Sequence, residues 1–202
     1  MSKISVIFWD LGGVLVRTED RSKRDRWEQR LGMEPRQLDR LIFGGDAGRK
    51  ATVGEYSVDE VWEWVRQELD LSQEEGQQLA RDFWQGDDLD EDLVAYVRGL
   101  RPRFQTGLIS NAWLELRDLL KNHWHIDNAF DDLVISAEVG LAKPDPAIYK
   151  LALERLDVEA DRAIFVDDFS HNIASAAEIG MQAVHFANPD QAIAEVNQLI
   201  GG

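Results

Sequence analysis

The first informative stretch of the chain, Ile4-Ser5-Val6-Ile7-Phe8-Trp9, is short, apolar and β-branched, and it stops at an acid, Asp10. A run of this length bounded by turn residues suits a strand buried on both faces of a parallel sheet. The pattern returns after Gly86, at about Phe104 to Ile109, Asp132 to Ser136, Ala163 to Val166 and Ala183 to Phe186. Helices are predicted between and after these runs, from near Asp90 to Gly99, Trp113 to Asn122, Asp145 to Leu156, past Asp168 to about Ile179, and Pro189 to Leu199. Such alternation predicts an α/β fold on a parallel sheet. From Arg17 to Gly86 the texture is instead polar, Trp-rich and helical, and Val61, Trp62, Val65 and Leu69 mark one helix face.

At 202 residues the chain is long enough for one substantial domain carrying a smaller insert. It has no cysteine, which excludes disulfides, thiolate metal sites and cysteine nucleophiles. Lys and Arg total 22 against 38 Asp and Glu, a formal net charge of −16. A field of that sign repels nucleic acid and anionic membranes, so neither is an expected partner. No stretch is apolar enough to span a bilayer, and the first apolar run is too short for a signal peptide. The expectation is a soluble, cytoplasmic protein.

Several strands end in reactive groups: Asp10 closes the first, Ser110-Asn111 the second and Asp167-Asp168 the fourth, while Lys143 lies in the loop after the third. In open α/β sheets ligands bind outside the carboxyl ends of the strands, where strand order reverses. Carboxylates, a hydroxyl, an amide and an ammonium converging there point to an anionic substrate with a cation, and Mg²⁺ is the simplest neutraliser. Taken singly, each of these is a turn, cap or solvated loop residue. Their joint order carries the reading.

Four stretches, Phe8-Trp9-Asp10-Leu11-Gly12-Gly13-Val14, Leu108-Ile109-Ser110-Asn111, Gly140-Leu141-Ala142-Lys143-Pro144-Asp145 and Phe165-Val166-Asp167-Asp168 with Asn172, run in the order of a known family. Over essentially its whole length the chain resembles the haloacid dehalogenase (HAD) superfamily, in the helical-cap, phosphatase-type subgroup with D-x-G in the first motif. The resemblance implies a Rossmann-like parallel sheet of order 5-4-1-2-3, built from residues 1–16 and 87–202, with an α-helical cap at 17–86 hinged near Val16–Arg17 and Gly86–Asp87. It implies Asp10 as nucleophile, Mg²⁺ held by Asp10, the Gly12 carbonyl and Asp168 with Asp167 behind or through water, and Ser110 and Lys143 on the phosphoryl group. Asn111 would help to line the substrate site. The substrate would be a small phosphorylated metabolite, the assembly a monomer or homodimer.

Phosphatases of this family usually carry a second Asp two residues after the nucleophile as general acid and base; here that residue is Gly12. Losing such help costs on the order of 10² to 10⁴ in rate. Three readings follow: a phosphatase for good leaving groups such as sugar 1-phosphates or acyl phosphates, or with another proton donor; a metal-independent 2-haloacid dehalogenase, against which the acidic pair Asp167-Asp168 argues; and a weakly active phosphate- and Mg²⁺-binding regulatory protein. The first is favoured.

Other features read more plainly. Gly44 to Lys50 misses the spacing of a phosphate-binding glycine loop and follows no clear strand, so it reads as a turn of the helical stretch, with reach of Arg49 or Lys50 to substrate the less favoured alternative. His123 and His125 read as a helix-end loop rather than a metal pair. His171 is a candidate proton carrier, although the start of a solvated helix is the simpler reading. Pro144 fits the first turn of the helix after Lys143. Trp27, Trp62, Trp64, Phe83 and Trp84 read as core of the helical stretch, with one or two left to line a pocket or a dimer contact. The acidic run Asp87 to Asp92 reads as a solvated turn before a helix.

Overall fold

A computed structural model describes residues 4–201. Strand β1 (Val6–Trp9) leads through a tight turn to a short strand β2 (Val16–Thr18). Five helices follow, α1 (Ser22–Arg30), α2 (Gln37–Gly44), α3 (Asp46–Thr52), α4 (Val58–Glu68) and α5 (Gln73–Trp84), and the chain returns through β3 (Asp87–Leu89). Then come α6 (Glu91–Gly99), β4 (Gln105–Ser110), α7 (Leu116–Asp118) running into a π-helical turn, β5 (Asp132–Ile135), α8 (Ser136–Val139) and α9 (Pro146–Arg155). The chain closes with β6 (Ala163–Asp167), α10 (Ser170–Glu178), β7 (Gln182–His185) and α11 (Pro189–Gly201).

The main sheet has the order β5-β4-β1-β6-β7, and every pairing in it is parallel. Counting its strands along the chain, this is the expected 5-4-1-2-3 read from the opposite edge. The sheet is covered on both sides, which is why its strands are nearly continuous in apolar residues. Ile7 and Trp9 of β1 join Leu108, Ile164 and Val166 beneath α6 and α11. Val6 and Phe8 join Ile109, Val134 and Phe165 beneath α9 and α10. In β4, Gly107 is required: a Cβ there would collide with the Phe8 ring. No described helix is long and apolar enough to cross a membrane.

The helical segment Ser22–Trp84 has a core of its own, in which Trp27, Leu38, Ile42, Val61, Val65, Leu79 and Phe83 are buried. Ser57 and Ser72 start α4 and α5 through reciprocal capping boxes with Glu60 and Glu75. Trp113, from the loop after β4, also packs into this core. Phe83 and Trp27 are core as predicted, Trp62 and Trp64 are half-buried, and Trp84 is exposed.

Four local expectations are corrected. Asp87–Leu89 is not a solvated turn but a strand paired antiparallel with Val16–Thr18. Its acid is satisfied from both sides, by the Thr18 hydroxyl at 2.6 Å and the Arg24 guanidinium at 2.7 Å. The predicted helix Trp113 to Asn122 is only Leu116–Asp118 plus the π turn Leu119–His123, which keeps Leu116 and Leu120 in the core. Pro144 lies outside α9, which Asp145 caps and Pro146 begins. Gly44 to Lys50 is the junction of α2 and α3 rather than a simple turn.

Arg24 ties this segment to the β2/β3 ribbon. Its buried guanidinium donates to the Phe83 carbonyl at 2.7 Å, Asp39 at 3.0 Å and Asp87 at 2.7 Å, and lies 4.0 Å from the Phe83 ring centroid. Removing one partner of such a buried cluster strands the others. Arg24→Met is therefore expected to lower unfolding stability by about 2–3 kcal/mol, discounted for the partial exposure of both acids. Urea unfolding measures it, and an unchanged midpoint would contradict the role given to Arg24.

Candidate active site

β1 lies between β4 and β6, with Trp9 in register with Leu108 on one side and Val166 on the other. The next residues of the three strands therefore meet at one edge. Asp10 continues β1 there, its N–H donating to the Val166 carbonyl at 2.9 Å. Ser110 and Asp167 end β4 and β6, and all three are buried.

Lys143 enters this edge from the loop before α9. Its ammonium is buried and lies 2.7 Å from Asp10 Oδ1 and 2.6 Å from Asp167 Oδ2. The loop is pinned by Asn111, whose amide donates to the Lys143 carbonyl and accepts from the Lys143 N–H, each at 2.8 Å. Asn111 is exposed, and both ends of its amide serve this bracket. Asp167 is gripped further by Asn172 Nδ2 at 3.0 Å to both oxygens and by the Phe169 N–H at 2.7 Å. Asp10 Oδ1 also accepts from the Leu11 N–H at 2.7 Å.

Asp168 is different. Its Oδ1 is buried and has no hydrogen-bond partner among the described residues. Gly13 passes directly against this carboxylate with φ +81°, so a Cβ at residue 13 would overlap Asp168 Oδ2. Asp10, Asp167 and Asp168 each offer an oxygen, all within 4.8 Å of one another. The Asp10 carboxyl is pushed up to about 7, with burial the largest cause, opposed by Lys143 and reinforced by Asp167. Burial, and then Asp167, raise Asp168. Among the described residues, three carboxylates thus share the Lys143 ammonium, which leaves the site short of positive charge.

Asp10, Ser110, Lys143, Asp167 and Asp168 thus lie together, with Gly12 in the adjoining turn. Gly12 has an ordinary φ, and a Cβ added there would meet nothing within 4 Å. His171 is exposed in the first turn of α10, its ring 5.3 Å from that of Phe169. Arg49 and Lys50 both pair with Asp46, and Arg49 also donates to the Gly44 carbonyl. His123 and His125 are exposed at the end of the π turn. Sequence reasoning missed Trp113 and Phe43, which meet Phe83 and Trp84 in one aromatic group. The available signal was that Trp113 follows Asn111 by two residues.

A family model described as haloacid dehalogenase-like hydrolase matches residues 4–180. The chain belongs to this family of hydrolases. Among curated relatives, D-ribitol-5-phosphate phosphatase of Bacteroides thetaiotaomicron is 28% identical over 193 residues, covering 89% of this chain and 90% of the relative. Bifunctional epoxide hydrolase 2 of Rattus norvegicus is 32% identical over 102 residues, which is 48% of this chain but only 18% of that protein's length. A solved HAD family enzyme from Bacteroides thetaiotaomicron, in complex with magnesium and inorganic phosphate, superposes with a TM-score of 0.72 at 21% identity, covering 90% of this hydrolase and 93% of the other chain. At that identity the likeness is one of fold.

The close approach of Gly13 to Asp168 gives a direct check. Gly13→Ala is expected to cost about 1–3 kcal/mol from the unfavourable φ, with a further cost from displacing Asp168. Chemical unfolding of the variant measures this, and stability equal to that of the parent would contradict the geometry.

Proposed function

We propose that this hydrolase is a Mg²⁺-dependent phosphatase of small phosphorylated metabolites, working through an aspartyl-phosphate on Asp10. The observation that carries the reading is the acidic trio Asp10, Asp167 and Asp168 around the buried Lys143, with Asp168 Oδ1 lacking a donor among the described residues. An unpartnered buried carboxylate oxygen is costly unless something positive meets it. All-oxygen donors suit a hard divalent ion. Asp10, the Gly12 carbonyl and Asp168 would hold it, and Asp167, already bound by Lys143, Asn172 and Phe169, would stand behind them. When bound, Mg²⁺ offsets the repulsion between a carboxylate nucleophile and an anionic phosphoryl group.

The chain's own residues do the rest. Lys143 and the Leu11 N–H hold Asp10 Oδ1, which leaves Oδ2 to attack phosphorus. The bond between phosphorus and the leaving oxygen breaks, and its electron pair departs with that oxygen. Ser110 donates to a phosphoryl oxygen, and Lys143 balances charge that accumulates there. Water then attacks the phosphorus of the aspartyl-phosphate and regenerates the Asp10 carboxylate. Asn111 acts by fixing the Lys143 loop. Residues 17–86 form a cap over this edge of the sheet, entered and left through the β2/β3 ribbon. The relatives that are themselves phosphatases support this reading over dehalogenation, as does the acidic pair on β6.

Gly12 supplies no proton, so leaving groups that depart without one are favoured, sugar 1-phosphates and acyl phosphates among them. Phosphate release from alkyl, sugar 1-, sugar 6- and acyl phosphates, with and without Mg²⁺, tests the reading. Release is expected to require Mg²⁺ and to vanish in Asp10→Asn, while that variant keeps its fold by circular dichroism. Activity retained in Asp10→Asn would overturn the nucleophile, and silence across the panel would favour a regulatory, phosphate-holding role. Because residue 12 has room and ordinary backbone, Gly12→Asp is expected to raise kcat on alkyl phosphates by about tenfold or more. No gain would place the proton source elsewhere.

A further inference from the structure

Three aromatic rings meet where the helical segment touches the sheet edge. Phe43 comes from the end of α2, Trp84 from the end of α5, and Trp113 from the loop after β4. The ring centroids are 5.9 Å apart in each of the three pairs, so the group closes on itself. Trp113 is buried, yet Phe43 and Trp84 remain 44% and 43% exposed. Filling the core beneath is already done by Phe83, which is 1% exposed and packs against both Phe43 and Trp84. Large rings held in contact with their outer faces open to solvent are a ready surface for another flat apolar group.

The position ties this surface to the reactive edge. Trp113 follows Ser110 by three residues, and Ala112 between them is held on both sides of its peptide by the Ser136 hydroxyl, at 2.9 and 3.1 Å. Arg24, which lies against the Phe83 ring, is already paired with Asp39, Asp87 and the Phe83 carbonyl. It is not free to serve a second anionic group on a ligand lying against the rings.

A second observation limits the ligand independently. Gly12 gives the leaving oxygen no proton, although residue 12 has space for a side chain. A phenolic oxygen has a pKa of about 10, whereas water, which an alkanol resembles, is near 15.7. An aryl leaving group therefore departs as its anion far more readily.

We infer that the substrate is an aryl phosphomonoester, its uncharged ring seated against Phe43, Trp84 and Trp113 and its phosphoryl group at Asp10. This rests on the phosphatase reading above. Asp10 forms the new bond to phosphorus, the bond from phosphorus to the aryl oxygen breaks, and the phenolate leaves with the electron pair. Water then hydrolyses the aspartyl-phosphate.

The test uses 1-naphthyl, methyl and acetyl phosphates on the full chain with Mg²⁺. In calorimetry with Asp10→Asn, 1-naphthyl phosphate is expected to bind about tenfold or more tighter than methyl phosphate. Adding Trp84→Ala removes that advantage, and Trp84→Phe restores it, which separates loss of the ring from loss of the fold. In turnover, the ratio of kcat/KM for 1-naphthyl over acetyl phosphate is expected to fall about tenfold in Trp84→Ala and to recover in Trp84→Phe. Equal affinity for methyl and naphthyl phosphates, or a ratio indifferent to Trp84, would overturn the aryl assignment while hydrolysis of acetyl phosphate kept the phosphatase reading intact. Trp84-dependent binding with no turnover of any probe would overturn the phosphatase reading, and with it the aryl ester as substrate, while keeping the rings as a binding surface.

Discussion

The Lys143 ammonium is the interaction on which the site is organised. A buried positive charge is tolerated only when it is closely paired, and here two carboxylates from adjacent strands meet it at 2.7 and 2.6 Å. Those carboxylates are adjacent because β1 and β6 pair in parallel, and the lysine reaches them because Asn111 brackets its peptide from the end of β4. Two strand ends are thus tied by one charge, and a third is joined to them through the Asn111 bracket. The same arrangement sets its own deficit: once Lys143 is shared between Asp10 and Asp167, Asp168 is left facing the Gly13 backbone with an oxygen that no described residue satisfies. The proposal of a cation here rests on this charge count and is independent of any relative.

The helical segment is joined to the sheet by a different kind of contact. The ribbon of β2 and β3 carries the chain out and back, and Gly86, with φ +132°, lets its carbonyl accept from the Glu19 and Asp20 N–H groups. Arg24 then fastens α1, α2 and the end of α5 to β3 through one guanidinium. On the far side, Gly54 packs against the Ala137 carbonyl too closely for a side chain. The aromatic group of Phe43, Trp84 and Trp113 lies along this junction, so any ligand that touches it senses both parts of the molecule.

Much of this was legible before the structure. Strands buried on both faces leave long apolar runs, so their positions, their order once the family resemblance was drawn, and the reactive residues at their ends could be read directly. Short elements could not. Asp87–Leu89 is acidic and only three residues long, and it becomes a strand because Thr18 and Arg24, distant in sequence, supply its partners. Pro144 and Pro146 both stand near a helix start, and only the Asp145 cap distinguishes them. Asn111 reads as a site residue from its type and place, and its two bonds to the Lys143 backbone are a matter of three-dimensional reach that no motif reports. Phe43 and Trp113 belong to no motif, and their meeting depends on how the helices dock.

Covalent phosphorylation of Asp10 is the step on which the proposed function turns. Rapid acid quench of the Mg²⁺-loaded protein during turnover of acetyl phosphate or 1-naphthyl phosphate, followed by peptide mass spectrometry, measures it directly. The expected result is the mass of one phosphoryl group on the peptide containing Asp10, formed within a single turnover and lost in Asp10→Asn. Steady release of phosphate with no label on that peptide at any quench time, or a label on another residue, would contradict it.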